Sequence, residues 1–147
     1  MMRVVLDANV LVSAVLSPRG APAQILNAWR AQQCDLVISH AILAELDRVF
    51  RYPKIAKRHR WSEAQLQAFL ANLSHIAILT PGILTLAVIA EDPPDDRSLE
   101  CAVEGEAASI VSGDQLLVRL GAYQGIPILT PRAFLAVLQR QPKPSTD

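Results

Sequence analysis

The 147-residue sequence has no long apolar run. Its first hydrophobic stretch is broken at once by Asp7 and Asn9. It is too short and too polar for a signal peptide or a membrane span, so a cytoplasmic protein is expected. Cysteine is scarce: Cys34 and Cys101 lie far apart with no C-x-x-C spacing, which argues for reduced intracellular thiols. His40, His59 and His75 lack ligand spacing, so nothing suggests zinc. There is no excess of charge either, with 14 basic and 14 acidic residues, which at first sight argues against a polyanionic partner. Neither an internal repeat nor a low-complexity block is present.

What remains is a globular composition, 51% hydrophobic and 19% charged. A chain of this length folds without disulfides or a structural metal. Residues 1–140 read as one domain, and the polar, proline-containing residues 141–147 as a frayed tail.

The charges are segregated. Arg48, Arg51, Lys54, Lys57, Arg58 and Arg60 crowd one segment that contains no acid. Seven of the 14 carboxylates fall between Glu91 and Glu106, against the single cation Arg97. Two solvated helix faces would produce this pattern, and so would an acidic metal site beside a phosphate-gripping segment.

Strand-like runs over 3–6, 35–39, 76–79, 84–89, 109–112 and 126–129 alternate with helical patterns. Ser39, Ser62 and Thr130 stand where N-caps belong, and Pro131 follows Thr130 at a first helical position. The alternation predicts an α/β fold, a parallel sheet with helices on both faces. Ligands in such sheets bind beyond the carboxyl ends of the strands.

Asp7 ends the first strand, and Asp114 follows the strand that stops at Val111. Each would serve equally as a helix N-cap. Helical phase places Asp95 with Leu99, Ala102 and Val103 on a buried face. The same phase sends Asp96, Glu100 and Glu104 to solvent. Glu45 and Asp47 border the apolar face of the helix from His40, and geometry does not choose between them. Converging carboxylates repel one another unless Mg²⁺ or Mn²⁺, which prefer oxygen ligands, lies among them.

Leu6-Asp7-Ala8-Asn9, Ala44-Glu45-Leu46, the stretch from Asp92 to Ala102, Ser112-Gly113-Asp114 and the ending Ile128 to Phe134 resemble the PIN-domain family. The likeness is to its small prokaryotic members, toxins of toxin–antitoxin pairs. It implies a three-layer α/β/α sandwich with a mostly parallel sheet. It implies Mg²⁺- or Mn²⁺-dependent cleavage of RNA, with Asp7, Glu45, Asp95 and Asp114 as the acidic metal-site residues, and it thereby selects Glu45 over Asp47. Asn9 and Ser112 match supporting positions around the metal ligands. An antitoxin partner and a homodimer follow from the same resemblance. Ser98 stands where the family usually has a large apolar residue, so looser packing is expected there.

The basic segment from Arg48 to Arg60 is the expected phosphate grip, with Tyr52 and Trp61 available to stack on bases. The alternative is a solvated basic helix whose aromatics lie in the core. Two other functions fit an acidic cleft: a phosphohydrolase of small phosphate esters, or a module that docks a basic peptide. The first would want a lysine near the acids, and none lies close to Asp7 or Asp114 in sequence.

Overall fold

The computed structural model describes residues 1–83 and 93–140, and of residues 93–95 the backbone alone. The expected strand over 84–89 and the tail 141–147 lie outside the described residues. Strand β1 (Arg3–Leu6) is central, and β2 (Asp35–Ile38), β3 (Ile78–Leu79), β4 (Ser109–Val111), β5 (Ala122–Tyr123) and β6 (Ile126–Leu129) complete the sheet. The order is β3-β2-β1-β4-β6-β5. All neighbours run parallel except β5, which pairs antiparallel with β6 at the edge.

Val4, Val5 and Leu6 are all buried, as a strand covered on both faces requires. Leu6 sits opposite Val111 and Val5 opposite Val37, so β1 carries β2 on one side and β4 on the other. The chain builds outward from β1 through β2 and β3, then crosses back to β4. That reversal creates a crevice at the carboxyl ends of β1 and β4.

Helices α1 (Ala8–Leu16), α2 (Ala21–Arg30), α3 (His40–Phe50), α4 (Pro53–His59), α5 (Glu63–Ile76), α6 (Pro93–Glu104), α7 (Gln115–Leu120) and α8 (Pro131–Arg140) form the outer layers of an α/β/α sandwich. Their starts follow local chemistry. Ser39 Oγ accepts from Ile42 N at 3.2 Å, Ser62 and Gln65 form a capping box, and Thr130 Oγ1 accepts from Ala133 N at 3.2 Å. Two boundaries differ from expectation. Helix α5 runs on through Ile76, shortening the following strand to two residues. The β5–β6 hairpin, too short for a periodic signal, turns through Gln124 and Gly125 at positive φ. Among the described residues, no helix is long and apolar enough to cross a membrane.

Helix α6 corrects the phase argument. Ser98, Leu99, Glu100, Cys101 and Ala102 are consecutive and all buried, because α6 packs on β1, β2, β4 and α3 together. A helix enclosed on so many sides has no solvated row along Asp96 and Glu100, which are 3% and 7% exposed. The side chain of Asp95, expected on the buried face with Leu99, Ala102 and Val103, lies outside the described residues.

Both thiols are buried, and burial pushes Cys34 up to about 11 and Cys101 up to about 12. Neither should react with a thiol reagent until the protein unfolds; rapid labelling of the native chain would contradict this packing.

Gly105 closes α6 against the sheet. A Cβ there would meet Val37 Cγ1 at 2.3 Å, while Arg3 Nη1 donates to its carbonyl at 3.0 Å. Gly105→Ala should cost about 1–3 kcal/mol by urea unfolding. Gly113→Ala, with nothing within 4 Å, should change stability by less than about 0.5 kcal/mol.

Candidate active site

Asp7 follows β1 directly. Its backbone N–H donates to Val111 O at 3.0 Å, extending the β1–β4 ladder one step past the strand. Its side chain turns into the crevice and caps α1, with Oδ1 accepting from Ala8 N at 3.0 Å. Ser98 Oγ also donates to Oδ1, at 3.1 Å, and Ser112 Oγ donates to Oδ2 at 3.0 Å. The carboxyl is only 5% exposed. Burial pushes its pKa up from the ordinary 3.8, against the opposing pull of Ser112, Ser98 and the Ala8 N–H. The negative charge of Asp114 adds to the rise.

Asp114 arrives by the equivalent route from β4. It caps α7, Oδ1 accepting from Leu116 N at 2.8 Å, and its own N–H donates to Ser112 Oγ at 2.9 Å. Ser112 therefore connects the two acids, receiving from the backbone of one and donating to the carboxylate of the other. Both acids are N-caps. The cap and the cleft position coexist in the same side chains.

The other expected residues are placed differently. Glu45 is half-buried on α3 and pairs with Arg48, while Asp47 pairs with Arg51 at 3.0 Å. Asn9 is exposed and bonds neither acid; it lines a cleft of about 460 Å³ together with Ser13, Gly113, Asp114 and Gln115. Among the described residues, no three Asp, Glu, His or Cys side chains gather closely enough to hold a metal ion. Asp96 is buried two residues before Ser98, and that link brings this end of α6 to Asp7.

Ser98 is the residue that sequence reasoning missed. It is 1% exposed and meets Asp7 with a hydrogen bond where apolar bulk was expected. Its one signal was a small hydroxyl at a position where the resemblance leads one to expect a large apolar side chain. The side chains that meet around Asp7 and Asp114 carry oxygens alone, carboxylates and hydroxyls, the kind of ligand that hard divalent cations prefer.

The basic segment divides. Arg51 reaches Glu63 through both terminal nitrogens at 2.7 Å, and Arg48 is held by Glu45. Lys54, Lys57, Arg58 and Arg60 are exposed and form no ion pair among the described residues. Trp61 belongs to an aromatic cluster with Phe50, His59 and Phe69, with centroids 5.2 to 5.6 Å from it. Tyr52, 47% exposed, is the aromatic left at the surface.

Residues 3–116 match the family model of the PIN domain. An uncharacterised protein of Methanocaldococcus jannaschii, MJ1680, is 29% identical over 120 residues, covering 81% of this chain and 75% of that protein. Among solved structures, a chain of VapBC2 from Rickettsia felis, crystallised bound to a DNA fragment from its promoter, superposes with a TM-score of 0.55 at 17% identity. The match covers 86% of this chain and 97% of that one. By its fold and by the family model that spans most of its length, the chain belongs to the PIN domain family.

Proposed function

We propose that this chain is a metal-dependent ribonuclease that hydrolyses RNA phosphodiester bonds, acting as the toxin of a toxin–antitoxin pair. The Asp7 carboxyl carries the reading. It is buried at the β1–β4 crevice, its pKa is raised, and a second acid stands beside it. Such an arrangement works against folding, and perturbed acids in clefts mark functional sites. Membership of the PIN family supports nuclease activity, and the likeness to VapBC2 supports an antitoxin partner. A homodimer belongs to the same reading.

Asp7, Asp114 and an acid at the start of α6, Asp95 or Asp96, would hold Mg²⁺ or Mn²⁺, with Glu45, paired with Arg48 on α3, as a further candidate ligand. When bound, the cation supplies an activated water and neutralises charge developing on the phosphate. Ser112 and Ser98 fix the direction of Asp7, and the Ser112–Asp114 backbone bond keeps the two acids in step. Asn9, Ser13 and Gln115 present neutral polar groups to whatever enters the adjoining cleft. Lys54, Lys57, Arg58 and Arg60, exposed and without an ion pair among the described residues, hold the RNA backbone, while Arg48 and Arg51 are tied to acids.

Purified protein should cleave cellular RNA in Mn²⁺ or Mg²⁺ and stop with chelator. Asp7→Asn and Asp114→Asn should each reduce the rate by about 100-fold or more while the far-ultraviolet spectrum is unchanged. Cleavage by Asp7→Asn at the parental rate would refute the assignment. Comparison of Asp95→Asn with Asp96→Asn then identifies the α6 ligand.

Metal-free stability gives a second check. Because the folded Asp7 carboxyl has a raised pKa, its ionisation costs stability as pH rises through 3.8 and beyond. Metal-free Asp7→Asn should therefore melt higher than the parent at pH 7, and the gap should close as the pH falls below 4. A gap that widens in acid would reverse the sign and refute the argument.

Charge reversal at Lys57 and Arg58 should weaken RNA binding and flatten its salt dependence. Unchanged binding would leave α4 as a solvated helix.

A further inference from the structure

Asp7 offers two carboxylate oxygens, with about four lone-pair positions between them. Three of those positions are already taken: Ala8 N–H and Ser98 Oγ–H donate to Oδ1, and Ser112 Oγ–H donates to Oδ2. Among the described residues nothing else donates to this carboxylate, and the position that remains is on Oδ2. That oxygen is the one bonded to Ser112, whose hydroxyl also receives the Asp114 N–H, so it belongs to the side of the crevice that Asp114 shares. Oδ1 is saturated by groups that do not move easily. Ala8 N–H belongs to the first turn of α1, and Ser98 is 1% exposed on a helix packed against three strands.

Cations differ in what they ask of a carboxylate. Calcium accepts six to eight oxygens in flexible geometry and often takes both oxygens of one carboxylate. Magnesium and manganese are satisfied by single oxygens in a tighter octahedral shell. We propose that Ser98 is a specificity-determining positioning residue: by occupying Oδ1 it makes Asp7 a one-oxygen ligand and biases the cleft toward a small octahedral cation over calcium. This rests on reading the cleft as a divalent-cation site. A hydrocarbon side chain at this position could not perform the role, since it donates nothing to Oδ1.

The test is calorimetric titration of the metal-free full-length chain with Mn²⁺ and, separately, Ca²⁺. The parent should bind Mn²⁺ more tightly than Ca²⁺. In Ser98→Ala the freed Oδ1 lone pair should lower the preference for Mn²⁺ over Ca²⁺ by about tenfold, the scale on which partners behind a metal ligand act. Ser98→Cys keeps nearly the same size with a much weaker donor. It should shift the ratio in the same direction, and it serves if the alanine variant does not fold. Loss of packing alone would weaken both ions together and leave the ratio unchanged, and that result would overturn the role of Ser98. If the parent binds neither ion, the cation site itself is refuted. Parental binding with an unaltered ratio in both variants removes only the inference about Ser98.

Discussion

A single buried carboxylate organises the functional end of this molecule. Asp7 receives a backbone N–H from its own helix, one hydroxyl from α6 and another from the loop after β4. These three donors come from segments about 90 and 105 positions away as well as from the next residue, so the bond set ties together the central strand, its neighbour and the innermost helix. Each bond favours the ionised form, while burial and Asp114 oppose it. Burial prevails, leaving an acid that is positioned firmly but poorly compensated. Positioning without full compensation is what a ligand-binding carboxylate requires.

Much of the architecture was legible because it follows from local rules. The apolar run at Val4 to Leu6, the caps at Ser39, Ser62 and Thr130, and the acids at the ends of β1 and β4 were all readable from neighbours within a few positions. What failed was the rotational setting of α6. A one-stripe helix separates Asp95 from Asp96 neatly, but α6 packs on the sheet and on α3, and Ser98 to Ala102 are buried in succession. Tertiary enclosure overrides periodicity, and sequence carries no direct trace of how many sides of a helix are covered. The same limit hid Ser98, whose partner lies 91 positions away.

The basic segment shows how composition overstates a surface. Six cations stand close in sequence, yet Arg48 and Arg51 are held by acids from α3 and α5. Arg51 in particular fastens the end of α3 to the start of α5, with the short helix α4 looped out between them. The free positive charge is concentrated on Lys54, Lys57, Arg58 and Arg60. Trp61 is half-buried, its ring packed among Phe50, His59 and Phe69. Anchoring and presentation are thus divided between neighbouring residues of one segment.

The serine bridge between the acids has a bearing on how the crevice forms. Asp7 precedes its partners Ser98 and Ser112 by 91 and 105 positions. Until those distant segments have docked beside β1, the aspartate is an ordinary hydrated side chain with no crevice around it. The acidic pocket is therefore a product of long-range assembly and cannot form from the β1–α1 segment alone.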